Sequence, residues 1–121
     1  QAVQMGTAFL ACPESAINAA YRAALAGATA TDTVTTRTIS GRPARGIRNA
    51  MIDALEADEA QIPVYPVQNA LTGALRKLAG AAGDAQYLSL WAGQGVAQAR
   101  ALPAAQLLQQ LKEEWRAAGG Q

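Results

Sequence analysis

Apolar residues at the start of the sequence predict a β-strand that ends in a turn. The run from Ala2 to Ala11 is mostly apolar, breaks at Gly6-Thr7 and then continues with helix-forming residues. A strand that leads through glycine and threonine into a helix presents bare backbone N–H groups and a hydroxyl, a combination that favours a dianion. A tight turn with a capping threonine explains the same residues. The pattern therefore indicates a phosphate-binding turn without excluding an ordinary one.

Apolar residues spaced by three and four predict four helices further along the chain. The first is expected to run from a cap at Ser15 to Gly27, and the second from Pro43 to the acidic residues after Leu55. The third is expected to run from Val67 to Gly80 and Gly83, and the fourth from Pro103 to Gly119-Gly120. Their expected apolar faces are, in the same order, Ile17, Ala20, Tyr21, Ala24 and Leu25; Ile47, Met51 and Leu55; Val67, Leu71, Leu75 and Leu78; and Leu107, Leu108, Leu111 and Trp115.

Residues 33–39 predict an extended strand, because they are mainly β-branched and are bounded by Asp32 and Gly41. No partner strand is evident from the sequence. Two prolines between positions 61 and 66 predict an extended connector, and the glycines on either side of Gln94 predict a short helix or turn. The whole pattern indicates one or two strands and about four helices.

Composition and charge exclude several classes of function. The net charge is +1 and no stripe of Lys and Arg is visible, which argues against nucleic acid as a partner. Cys12 is the single cysteine and no histidine is present, so we expect a buried thiol, no internal disulfide and no metal site. No apolar stretch reaches the roughly 20 residues that cross a bilayer. We therefore expect no membrane partner and a cytoplasmic location.

Arg42, Arg45 and Arg48 form a basic cluster at helix-like spacing. One interpretation is an anion site that uses bidentate contacts. We favour pairing with nearby carboxylates or anchoring of the segment, because solvated charge is ordinary on the surface of helices.

Five short segments occur in an order that is typical of a known family. They are Gln4-Met5-Gly6-Thr7, Ala11-Cys12-Pro13-Glu14-Ser15, Ser40-Gly41-Arg42-Pro43-Ala44-Arg45-Gly46-Ile47-Arg48-Asn49, Gln68-Asn69-Ala70-Leu71-Thr72 and Ser89-Leu90-Trp91-Ala92-Gly93-Gln94-Gly95. Together they resemble the C-terminal portion of nitronate monooxygenase, also called 2-nitropropane dioxygenase, a family of FMN-dependent barrel enzymes. An intact (β/α)8 barrel needs about 250 residues, so we expect this sequence to be a fragment.

The resemblance implies an α/β fold that is the C-terminal part of a (β/α)8 TIM barrel, with its last strand and helix followed by an appended, mainly α-helical lobe. Residues 1–28 would form the last β/α unit with its phosphate-binding turn, and residues 29–121 the lobe. The implied activity is the FMN-dependent oxidation of alkyl nitronates, such as propionate 3-nitronate, by O2 to carbonyl compounds and nitrite. The implied partners are a small-molecule nitronate and O2.

The resemblance also implies site residues. Gln4, Met5, Gly6 and Thr7 would form the eighth-strand contact to FMN, with backbone amides and the Thr7 hydroxyl at its phosphate. Gln94 would contact the flavin or the substrate, although a helix-breaking bend beside a packed tryptophan explains its segment equally well. The catalytic histidine of the family is not on this chain, which contains no histidine. No catalytic residue is therefore assigned, and the fragment alone is expected to be inactive.

Two alternatives stay open. A flavin-dependent enoyl reductase of fatty-acid synthesis shares the barrel and the phosphate turn, but the arginine-rich segment and the segment 91–95 favour the nitronate branch. The other alternative is a non-catalytic helical fragment or binding module. A barrel strand without its neighbours leaves unpaired edge groups and exposed apolar surface, so we expect the separate chain to associate.

Overall fold

The computed structural model describes residues 3–120, which form short helices around one antiparallel pair of strands. In chain order the elements are α1 (Thr7–Leu10), α2 (Ala19–Gly27), β1 (Thr33–Thr36), β2 (Ala44–Ile47), α3 (Ala50–Glu56), α4 (Val67–Leu71), α5 (Gly73–Ala82) and α6 (Ala104–Ala117). Single turns of 3-10 helix occupy residues 30–32, 59–61 and 85–87, and a longer stretch occupies residues 94–98.

The strand predicted before Gly6 does not form in the described part of the chain. Residues 3–5 have no regular structure, and Ala2 lies outside the described residues. A strand is stabilised by hydrogen bonds to a neighbouring strand, and the sheet that residues 3–120 form pairs β1 with β2 alone. The expected helix start is present, because α1 begins at Thr7 directly after Gly6.

Asn18, not Ser15, caps α2. The Asn18 side chain accepts a hydrogen bond from the Tyr21 N–H at 2.8 Å, and the Asn18 backbone is extended, as in most N-caps. Serine and asparagine are both good capping residues, so their types did not distinguish the two positions. The predicted end of the helix at Gly27 is confirmed.

The strand β1 begins at Thr33 as predicted but ends at Thr36, and its partner is β2. The helix predicted to have Pro43 in its first turn is wrong there, because residues 44–47 are extended and α3 begins only at Ala50. Tertiary pairing explains the difference. β2 bonds to β1 along one edge, and along its other edge the Ile47 N–H donates to the Leu90 carbonyl at 2.8 Å.

Two groups of buried side chains form the core. The larger joins α2, β2, α5 and the segment 88–96, and consists of Leu25, Ala28, Ile47, Ala79, Leu88, Leu90, Ala92 and Val96. The smaller consists of Ile39, Met51 and Ile52. The larger group fixes the position of the segment 88–96, which leads into the candidate site.

The third predicted helix is divided at Thr72 into α4 and α5, and its predicted apolar face is exposed. The exposed fractions are 51% for Val67, 65% for Leu71, 42% for Leu75 and 69% for Leu78. Gln68 and Thr72 are buried instead, and their side chains donate to the carbonyl oxygens of Thr38 and Ile39. Since buried carbonyls need hydrogen-bond donors, these two polar side chains and not the leucines select the inward face.

The helix α6 begins and ends close to its predicted bounds. Pro103 directly precedes Ala104, and Gly119 adopts a left-handed φ of 86° just beyond the last turn. Its predicted apolar face is only partly buried. Leu107 is buried, Leu111 is partly buried, and Leu108 and Trp115 are exposed.

Candidate cofactor site

The two segments that the sequence assigned to a cofactor lie side by side in the structure. The backbone N–H of Gly93 donates a hydrogen bond to Thr7 Oγ1 at 2.9 Å, across 86 positions of sequence. Gly6 precedes Thr7 as the N-cap of α1, and its carbonyl accepts from the Phe9 N–H at 3.0 Å. The turn and the glycine segment therefore form one local structure.

A cavity of about 400 Å³ lies between these segments and α6. Its lining is Gln4, Met5, Gly6, Thr7, Ala8, Gly93, Gly95, Gln98, Ala99, Arg100, Leu107, Leu111 and Glu114. Four of the five predicted site residues are thus brought together. Gln94 is the exception: its side chain is exposed and it does not line the cavity, whereas the glycines on either side of it do.

Arg22 holds the loop that follows α1. Its guanidinium donates to the carbonyl oxygens of Ala11 at 2.8 Å, Cys12 at 3.1 Å and Ser15 at 3.3 Å. The thiol of Cys12 is buried, as predicted, and unpaired. The carboxylate of Glu14 in the same loop accepts from the Ala104 N–H at 3.0 Å and so caps α6. These contacts hold the loop after α1 against the start of α6, and residues of both helices line the cavity.

Gly46 allows the segment 90–92 to approach β2 closely. A Cβ at this position would lie 2.8 Å from the Leu90 carbonyl oxygen, a distance that real Cβ atoms do not show, and Gly46 forms an antiparallel bridge with Trp91. The Ala92 N–H then donates to the Arg45 carbonyl at 3.1 Å. These contacts along the edge of β2 position Gly93 next to Thr7.

The hydroxyl of Tyr21 fixes the same segment from α2, donating to the Trp91 carbonyl at 2.6 Å. Burial raises the pKa of Tyr21 to about 12, and the hydrogen bond to Trp91 opposes this increase. The phenol therefore stays neutral and keeps its donor proton across the physiological range of pH.

Replacing Tyr21 by phenylalanine is expected to lower the free energy of unfolding by about 1 to 2 kcal/mol, because the Trp91 carbonyl loses its donor in a partly buried position. Chemical denaturation of the wild type and the variant measures this difference. The matched control is Tyr87→Phe, at an exposed tyrosine, where a change below about 0.5 kcal/mol is expected. Equal effects at the two positions would contradict the assigned role of the hydroxyl.

Arg100 and Glu114 add a pair of opposite charges to the cavity that the sequence analysis missed. Their guanidinium and carboxylate form two hydrogen bonds, at 2.7 and 3.0 Å, and the hydrogen bond from Arg100 holds the pKa of Glu114 below its usual value. The two residues are 14 positions apart, with Arg100 in a loop and Glu114 on α6, so no local spacing links them. Only the docking of α6 brings them together.

The arginine cluster of the sequence is dispersed, because its residues lie on β2 and the loops beside it and not on a helix. Arg48 pairs with Asp53 at 2.6 Å and Glu56 at 2.7 Å, as the favoured interpretation predicted. Arg45 donates to the Thr33 carbonyl at 3.1 Å, and Arg42 lies over the ring of Tyr65. These contacts anchor the hairpin and do not assemble an anion site.

A family model described as nitronate monooxygenase matches residues 1–114. The chain belongs to the nitronate monooxygenase family. This confirms the family resemblance drawn from the five sequence segments.

Members of the family show the extent of the match. The chain is 53% identical over 116 residues to a nitronate monooxygenase of Pseudomonas aeruginosa, an alignment that covers 95% of this chain and 33% of that protein. It is 49% identical over 94 residues to a probable nitronate monooxygenase of Staphylococcus saprophyticus, covering 78% of this chain and 26% of that protein. The chain therefore spans about a third of the length of these relatives.

Two solved structures share the fold of this family member. A nitroalkane oxidase from Streptomyces ansochromogenes matches with a TM-score of 0.86 and 42% identity, over 95% of this chain and 33% of that one. FabK from Thermotoga maritima matches with a TM-score of 0.77 and 28% identity, over 98% of this chain and 38% of that one. Both are TIM-barrel enzymes, which supports the barrel part of the predicted fold.

Among residues 3–120, no helix combines the length and the apolar character that crossing a bilayer requires. The same residues contain no group of three His, Cys, Asp or Glu side chains arranged to hold a metal ion.

Proposed function

We propose that this protein takes part in the FMN-dependent oxidation of alkyl nitronates by O2 to carbonyl compounds and nitrite. In this proposal residues 1–28 are the last β/α unit of a TIM barrel and residues 29–121 an appended, mainly helical lobe. The observation that carries the proposal is the hydrogen bond between Gly93 and Thr7 beside a cavity, in a chain of the nitronate monooxygenase family.

The residues at the cavity fit the phosphate end of FMN. The Thr7 oxygen accepts from the Gly93 N–H, so the Thr7 hydroxyl proton is available to a further acceptor. The first N–H groups of a helix have no carbonyl four residues before them. In α1 the Phe9 N–H donates to the Gly6 carbonyl, which leaves the N–H groups of Thr7 and Ala8. A Cβ added to Gly6 would meet no atom within 4 Å, so the backbone there is open to a ligand. The Thr7 hydroxyl and the first N–H groups of α1 thus belong to residues that line an open cavity, which suits a phosphate.

The site residues of this chain bind and orient, and the cofactor performs the redox chemistry. FMN, when bound, supplies electron transfer between the nitronate and O2. Gln4, Met5, Gly6 and Thr7 would hold its phosphate end, and the glycines beside Gln94 would let the backbone approach it. We also propose that Gln94, whose side chain is exposed, contacts the flavin or the substrate. Since the chain contains no histidine, it does not supply the proton transfer that the family assigns to that residue.

The proposal is tested on the product of the complete source gene, purified and supplied with FMN. We expect nitrite to be released from propionate 3-nitronate in the presence of O2, and no nitrite from the 121-residue chain alone. Nitrite is measured by a colorimetric assay. A complete gene product that binds flavin but releases no nitrite would overturn the proposed activity.

Thr7→Val tests the assigned contact in the same protein. Valine keeps the volume of threonine and removes the hydroxyl, so we expect FMN affinity to fall by about tenfold, the effect of one charge-assisted hydrogen bond. Thr7→Ser is expected to restore most of the affinity. Thr35→Val, at an exposed position of β1, is the control that should leave it unchanged. Equal FMN affinity in Thr7→Val and Thr35→Val would refute the contact.

The likeness to FabK favours a second candidate, the flavin-dependent enoyl reductase that the sequence left open. The same purified protein distinguishes the two activities. Consumption of NAD(P)H that depends on an enoyl thioester, without nitrite from a nitronate, would establish the reductase. A complete gene product that binds no flavin would instead favour the non-catalytic binding module.

A further inference from the structure

We infer that Arg100 binds the anionic phosphate end of the cofactor in this cavity, an inference that rests on the proposed function. Arg100 lies in the loop between the 3-10 stretch 94–98 and α6, and it lines the cavity together with Gly6, Thr7 and Gly93. It is the one cationic side chain in the lining formed by residues 3–120. A guanidinium is well suited to phosphate because its donors form a planar fork.

Arg100 keeps donors for a ligand while it is paired. Its Nη1 group donates to Gln110 at 3.2 Å and to Glu114 at 2.7 Å, and its Nη2 group donates to Glu114 at 3.0 Å. A guanidinium carries five N–H donors, so these contacts leave two without a partner within the described residues. The pair with Glu114 therefore orients the guanidinium without using all of its donors.

The two charged side chains that line the cavity act on a phosphate in opposite directions. Arg100 attracts a phosphate, and the Glu114 carboxylate, which lines the same cavity, repels it. Side chains of both residues are partly exposed, at 37% for Arg100 and 54% for Glu114, so solvent weakens each interaction without removing it. Glu114 thus holds the guanidinium in place and at the same time limits the affinity for the anion.

FMN and riboflavin separate the phosphate contact from the rest of the cofactor site, because riboflavin lacks the phosphate. Fluorescence titration of both flavins into the product of the complete gene gives the two dissociation constants. In Arg100→Gln we expect the affinity for FMN to fall about tenfold and that for riboflavin to stay unchanged. Glu114→Gln keeps one oxygen that accepts from the guanidinium and removes the opposing charge, so we expect FMN to bind severalfold more tightly.

Arg48→Gln is the matched control, since Arg48 forms the same kind of ion pair with Glu56 but does not line this cavity. Its affinities for both flavins should equal those of the wild type. Arg100→Lys keeps the charge but loses the fork, and should fall between the wild type and Arg100→Gln.

Two results would overturn the inference on Arg100. The first is an unchanged preference for FMN over riboflavin in Arg100→Gln. The second is an equal loss of both flavins, which would show that Arg100 only supports the fold. A wild-type protein that binds neither flavin would instead refute the proposed function itself, and the inference with it.

Discussion

Replacing Gly41 by alanine is expected to lower the free energy of unfolding by about 3 kcal/mol or more. Gly41 has a φ of 85°, in the left-handed region that costs other residues about 1 to 2 kcal/mol. A Cβ there would also lie 2.5 Å from both the Pro63 carbonyl oxygen and the Tyr65 nitrogen. Both are backbone atoms, so the overlap can be relieved only by moving the connector away from the hairpin, which adds to the cost.

Urea denaturation of Gly41→Ala measures this decrease in the free energy of unfolding. Gly73→Ala is the control, because it makes the same chemical change at another glycine. Gly73 begins α5, and a Cβ there would meet no atom within 4 Å. Its replacement is expected to be neutral or stabilising by up to about 1 kcal/mol, because alanine favours the helix. A Gly41→Ala variant as stable as Gly73→Ala would show that the connector does not pack on Gly41.

Asn49→Asp is the second substitution with a large expected effect, a decrease of about 3 kcal/mol in the free energy of unfolding. The Asn49 amide is buried, and it donates to the carbonyl oxygens of Ala85 at 3.1 Å and Leu88 at 2.8 Å. Aspartate keeps the oxygen that accepts from the Ile52 N–H, but it turns a donor toward two carbonyls into an acceptor. A buried carboxylate that faces carbonyl oxygens loses solvation and gains no partner.

The control is the same substitution at the other asparagine cap. Asn18 is exposed, and its side-chain oxygen accepts from the Tyr21 N–H at the start of α2. Asn18→Asp is expected to change stability by less than about 0.5 kcal/mol, because a carboxylate also caps well and suits the positive end of the helix. Thermal unfolding followed by circular dichroism compares the two variants. A small loss at both positions would contradict the buried role of Asn49.

Elements held by local contacts were predicted well from the sequence. The end of α2 at Gly27 and the end of α6 before Gly119 both depend on residues within a few positions of them. The predictions failed where distant residues decide the conformation. Residues 44–47 have helical spacing but form a strand, because β1 and the segment 90–92 pair with both of their edges.

The inward face of α4 and α5 shows a second limit of the pattern. Leucine spacing predicted a buried apolar face, whereas hydrogen bonds from Gln68 and Thr72 to the carbonyls of Thr38 and Ile39 turn the other face inward. These carbonyls lie in the segment after β1, 30 and 33 positions before the side chains that bind them. The spacing of apolar residues within one helix therefore contains no information about them.

By itself, the sequence determined the family, the helix-ending glycines and the turn at Gly6 and Thr7, because short motifs and local conformational preferences specify them. Only the tertiary structure placed Gly93 against Thr7 and Arg100 beside Glu114, and left Gln94 outside the cavity. These contacts join residues 86 and 14 positions apart. They exist only after β2 and the core have fixed the segment 88–96 and the Glu14 cap has docked α6.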